Sequence, residues 1–166
     1  MYRKIEDFVN DWQDEAKYTL NLFSKISDDK ISVRVAENIR NLGRLAWHIT
    51  QTLTEMPHKA GIIEKDHLED KDMPATFAEI IATYQDHNDA LIELLRKKWR
   101  DSELTDKIEM YGQQWEKRKI LSALVHHQIH HRAQMTIIMR LQDIEVPGIY
   151  GPSKEEWTKF GMKPQE

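Results

Sequence analysis

Residues 115–142, WEKRKILSALVHHQIHHRAQMTIIMRLQ, read as one long helix whose apolar stripe contains histidine. At about 100° per residue, Ile120, Leu124, Met135 and Ile138 fall in one sector, together with His127, His131 and Gln134. A stripe of this kind faces the core of a helical bundle. His127 and His131 are four residues apart, so their rings stand one above the other on that inward face. Two imidazoles so placed can grip one metal ion, because histidine nitrogen is a standard ligand for zinc and its neighbours. The other reading is a pair of core histidines satisfied by polar neighbours, since each buried ring needs partners. His126 and His130 lie to one side and read as flanking groups.

Three further segments carry helical periodicity. Ile5, Phe8, Val9, Trp12, Ala16, Leu20 and Phe23 form the first stripe, which ends before the turn SDDK at 27–30. The second helix is expected from about Asn38 to Met56, with Ile39, Leu42, Ala46, Ile49 and Leu53 on one side, and Pro57 and Gly61 mark its end. A capping box, Thr76-x-x-Glu79, opens the third. It continues through Phe77, Ile80, Ile81, Tyr84, Asn88, Leu91 and Leu95 towards Trp99. The charged segment 57–75 and the polar segment 101–114 are long crossings rather than hairpins. After the fourth helix, VPGIYGPS at 146–153 is irregular. Ser153-x-x-Glu156 is expected to cap a short helix that Gly161 stops. The sum is a single all-α domain spanning 1–166, a four-helix bundle with a short C-terminal helix.

The composition narrows the function. A chain of 166 residues, 40% apolar and 31% charged, builds one core of good size. A net charge of −4 and a pI near 6.1 argue against a nucleic-acid grip, which needs a basic face. The run Arg96, Lys97, Lys98 and Arg100 reads as a solvated helix end whose cations suit the dipole. With no cysteine, disulfides, thiolate metal sites and a cysteine nucleophile are excluded. The opening MYRKIEDFVNDW lacks the apolar core of a signal peptide, and no stretch approaches a membrane span. A cytoplasmic protein is expected, with no membrane partner.

A catalytic metal site usually has three protein ligands and an open position. His58 and His67 fall in the polar crossing and read as solvated. His87 lies beside the apolar stripe of the third helix and reads as uninvolved. On the second helix, His48 shares a stripe with Asn41, Thr52 and Glu55, about 60° from Leu45. That stripe is either an ordinary solvent face or the lining of a cavity that opens onto the metal. In the second case Glu55 orients an imidazole or binds a water. Periodicity does not separate the two.

NLGRLAWHITQT (41–52), HHQIHHRAQ (126–134) and VPGIYGPS (146–153) together resemble the DinB-like family, the DNA-damage-inducible group of metal-dependent helical proteins. The shared pattern is a Leu-Ala-Trp-His segment in the second helix, His-x-x-x-His with Arg-x-Gln in the fourth, and a Val-Pro tail. His126 and Ala133 depart from it, where the family commonly has another polar residue and glycine. The resemblance implies a bundle in up-down-down-up order with long crossings, often dimeric. It also implies His48, His127 and His131 as ligands of a divalent metal, zinc first and nickel second.

Three neutral imidazoles leave the ion's charge uncancelled, so the site stays a strong Lewis acid. It is neither a two-histidine-one-carboxylate site nor a His-Glu-x-x-His protease site. Relatives include transferases that use a low-molecular-weight thiol on a small electrophile, and the same reaction is expected of this chain. A metal-dependent hydrolase and a non-catalytic bundle with a structural metal are the alternatives. Glu55, His130 and Gln134 are the candidate helpers, and closure of the site by Glu55 or His130 would favour the structural role. Arg132, about 140° from the site, reads as an exposed fork on the outer face.

Overall fold

A computed structural model describes residues 1–164. Four helices carry the chain: α1 (Ile5–Phe23), α2 (Leu42–Lys59), α3 (Phe77–Lys98) and α4 (Lys117–Leu141). Each of α1 and α2 packs against both α3 and α4, which closes a four-helix bundle. Phe8 and Trp12 of α1, Ala46 and Ile49 of α2, Ile80 and Tyr84 of α3 and Ile120 and Met135 of α4 meet in the core. The Trp12 indole N–H donates to Asn88 Oδ1 at 2.8 Å, so the one polar group of this large ring is satisfied inside. The basic run Arg96–Lys98 is solvated at the last turn of α3. Among the described residues, no helix is long and apolar enough to cross a membrane.

The helix starts follow from their caps. Thr76 and Glu79 make the reciprocal capping box. The second helix begins later than periodicity suggests, because Asn41 caps it by accepting from Arg44 N–H at 2.8 Å. Ile39 therefore lies outside α2 and is exposed. Pro57 does not end the helix. It sits in the last turn, where its ring removes only one backbone bond, and Met56, Pro57 and Ala60 all bury against the core.

The crossing at 101–114 contains a hairpin that periodicity does not announce. Strands β1 (Lys107–Met110) and β2 (Gln113–Glu116) pair antiparallel, with Ile108 opposite Trp115. Tyr111 and Gly112 turn the chain with φ of 53° and 76°, the two positive values that a tight hairpin turn demands. Strands of four residues are too short to show a period of two. Trp115 consequently belongs to β2, and α4 starts at Lys117. The first amides of α4 are satisfied by carbonyls of the crossing, Lys117 N–H to Asp106 O and Arg118 N–H to Leu104 O, both at 2.9 Å.

At the C-terminal end only half of the expected box forms. Glu156 accepts from the Ser153 N–H at 3.3 Å, but the buried Ser153 hydroxyl has no partner among the described residues. The element that follows is a short 3-10 turn, Trp157–Phe160, stopped by Gly161 at φ 68°.

Gly43 sets where α2 meets the preceding segment. Its amide donates to Ile31 O at 2.9 Å, and a Cβ there would stand 2.5 Å from Ile31 Cγ1 and 2.8 Å from the Ile31 carbonyl oxygen. Gly43→Ala should destabilise the fold by about 1–3 kcal/mol, measured as a lower denaturant midpoint. The gain in helix propensity, under about 1 kcal/mol, is too small to offset the overlap. An unchanged or raised midpoint would mean that the 31–43 contact is slack.

Candidate metal centre

His48 projects from α2, and His127 and His131 project from successive turns of α4, the helix packed against it. His127 Nε2 lies 3.1 Å from His48 Nε2 and 3.2 Å from His131 Nε2. One ligand atom from each of the three rings falls within 4.8 Å of the others. Among the described residues, this is the one cluster of three such side chains with ligand atoms that close. The solvent-face reading of the His48 stripe is thus set aside: Thr52 is buried, and His48 is half-buried against its two partners.

The donor set fits a metal ion better than a hydrogen-bond network. His131 Nδ1 stands 2.8 Å from Gln134 Oε1, so it donates there and leaves its Nε2 lone pair free. The Gln134 amide then donates to His130 Nε2 at 3.1 Å. His127 Nδ1 is buried and has no partner among the described residues. A proton on His127 Nε2 can serve one of its two close nitrogens, never both. One ion satisfies all three, and ligands about 2.0–2.1 Å from a tetrahedral zinc stand roughly 3.3–3.4 Å apart, close to the spacing found.

The electrostatics agree. Desolvation pushes the His48 and His127 imidazoles down to about 4, helped by neighbouring rings and by the positive charge of Arg40. Burial also lowers His131, partly opposed by its bond to Gln134. All three are neutral at pH 7, the form that ligates.

Other histidines stay apart from this cluster. His58 is exposed. His67 and His87 stack on each other at 6.4 Å between ring centroids and line a separate cavity of about 610 Å³. Glu55 is not brought into the cluster: its carboxylate accepts from the Tyr111 hydroxyl at the hairpin tip, at 2.8 Å. His130 is exposed and turns to Gln134, with its ring 4.9 Å from that of His131. Neither Glu55 nor His130 therefore closes the triad. A cavity of about 590 Å³ reaches the cluster at His131 and is lined also by Gln134, Ile138 and, from the segment before α2, Asn38, Ile39 and Arg40. Arg40, read along the sequence as part of the second helix, lies instead in the connection before it.

Arg132 is not the exposed fork expected of an outer face. It is 1% exposed, among the most buried side chains in the protein. Its guanidinium donates to Glu15 O at 2.9 Å, to Thr19 Oγ1 at 3.2 Å, to the Glu15 carboxylate and to Tyr150 Oη. The reason is that α4 is buried on two sides, against α2 through the histidines and against α1 through Arg132 and Gln128.

Helices packed so that one histidine of α2 meets two of α4 define a helical bundle with a three-histidine centre. The DinB family model matches residues 1–166, and the chain belongs to the DinB family. It is 33% identical over 163 residues to the uncharacterized protein YrdA of Bacillus subtilis (strain 168), covering 98% of each chain. The crystal structure of a DinB-like protein from Bacillus cereus ATCC 10987 superposes with a TM-score of 0.80 at 32% identity, covering 90% of this chain and 100% of that one. A second DinB-like structure, YjoA from Bacillus subtilis, shares the fold at a TM-score of 0.69 and 18% identity, over 86% of this chain and 97% of that one.

Proposed function

We propose that His48, His127 and His131 hold a divalent ion, zinc first and nickel second, and that the protein transfers a low-molecular-weight thiol to a small electrophile. The observation that carries this reading is the convergence of three neutral imidazoles beside an open cavity. Such an ion, when bound, supplies Lewis acidity that lowers the pKa of a thiol at its open position. The chain does the rest. The three rings present lone pairs because burial keeps them neutral. Gln134 is a positioning residue, fixing the tautomer and orientation of His131. The thiol comes from outside, since the protein has no cysteine. Conjugation to an aryl halide would form a sulfur–carbon bond, expel halide and release the thiol proton to solvent. A purely structural metal is disfavoured, because Glu55 and His130, the side chains able to close the site, are engaged elsewhere. We also propose a cytoplasmic location and, on the family resemblance, a homodimer.

The test uses zinc-loaded protein with glutathione, bacillithiol and mycothiol against an aryl halide and an epoxide. His48→Ala should lower the conjugation rate by more than about tenfold, while exposed His58→Ala leaves it unchanged. Equal rates for wild type and both variants across the panel would sink the transferase reading.

A further inference from the structure

The cavity beside the triad has a composition of its own. One wall is apolar and open to solvent: Ile39 is 39% exposed, and Ile137 and Leu141 are each 63% exposed. Large aliphatic side chains grouped at the rim of a pocket mark a surface that gains by being covered. The other wall is cationic. Arg40 lines the cavity, and among the described residues it takes part in no salt bridge. None of the described residues lining the cavity is acidic, although the chain as a whole carries a net charge of −4. An uncompensated guanidinium therefore stands beside a centre that brings no negative ligand of its own.

We propose that this cavity binds a small organic anion, its negative group on Arg40 and its apolar body against Ile39, Ile137 and Leu141. The planar fork of arginine suits a carboxylate, with two parallel N–H donors, better than a point charge would. A volume of about 590 Å³ lies in the range of small-molecule sites. His131 and Gln134 line the same cavity, so an anion held there lies beside the triad. One reactant of the proposed transfer is then an amphipathic anion, a point that rests on the transferase reading. The anion site itself does not, since it is built from residues outside the ligand set.

Calorimetry on the full chain, zinc-loaded and metal-free, tests this with hexanoate, 1-hexanol and hexylamine. Hexanoate should bind both forms more tightly than the alcohol, and the amine should bind least. Arg40→Gln should weaken hexanoate by about tenfold or more in both forms and leave 1-hexanol unchanged. Ile137→Gln, at an exposed position where folding is not at risk, should weaken hexanoate and hexanol alike. Zinc stoichiometry on the same samples is a separate readout. Loss of zinc binding with the hexanoate pattern intact would overturn the metal reading and leave the anion site standing. The proposal falls if hexanoate does not bind at millimolar concentration, or binds wild type and Arg40→Gln equally. It also falls if Ile137→Gln dissociates an oligomer without changing hexanoate affinity, since the apolar wall would then belong to a second copy of the chain.

Discussion

His127→Ala should abolish tight binding of the divalent ion and leave a folded helical protein. His127 is the middle of the cluster, the one ring whose Nε2 lies within hydrogen-bond distance of both others. Removing it leaves two donors on different helices, too few for a stable site. The bundle survives because its core is made by apolar residues of all four helices. For wild type, an ion present at about 100 times its Kd adds about 2.7 kcal/mol of stability by linkage. In a chain of this length that raises the Tm by about 5–10 °C. The variant should show no such rise, and an equal rise would place the ion elsewhere.

Acid should separate the same two proteins when metal-free. Unfolded imidazoles take up protons below about 6.5, whereas folded His48 and His127 do so only near 4. Between those values the unfolded chain binds more protons, so stability falls as pH drops from 6.5 towards 4. Above 6.5 both states hold these rings neutral and the effect vanishes. His127→Ala lacks one of the groups and should lose less stability over that window, read as Tm against pH.

Arg132→Ala should destabilise the fold more than Gly43→Ala does, costing about 3–5 kcal/mol. The guanidinium is enclosed between Tyr18 and Tyr150, 5.6 Å from each ring centroid, and its carboxylate partner Glu15 is also buried. Truncation would leave Glu15 charged in a dry site, with only the Tyr150 hydroxyl still donating to it. Tyr150 belongs to the tail after α4, so the same change should loosen that tail and speed its proteolysis. Glu15→Gln with Arg132→Met removes both charges and should recover most of the loss. Urea denaturation of Glu15→Gln, Arg132→Met and the double measures the coupling. Additive losses would show that the pair is not interacting.

Much of the bundle is legible along the chain. The stripes of Phe8 and Trp12, of Ala46 and Ile49, and of Tyr84 and Leu91 are helical periods that need only local geometry to be read. The inward stack of His127 and His131 follows from the same period, because residues four apart share a face whatever they pack against. His48 is reached through family resemblance, since a polar stripe beside Leu45 fits solvent as well as a cavity. The hairpin stays hidden, because strands of four residues carry almost no pattern and its turn depends on Tyr111 accepting a positive φ.

Arg132 marks where local geometry stops deciding. Its charge and its angle from His127 on the helix are sequence properties, and by themselves they describe a solvated surface. Only the docking of α1 and of the tail after α4 turns that face inward and provides Glu15, Thr19 and Tyr150, residues 18 to 117 positions away, as partners. The gap between Arg40 and the triad closes in the same way, as the connection before α2 is laid across α4. Period along a helix decides which side chains share a face. What that face meets depends on contacts between residues far apart in the chain, which only the tertiary structure brings together.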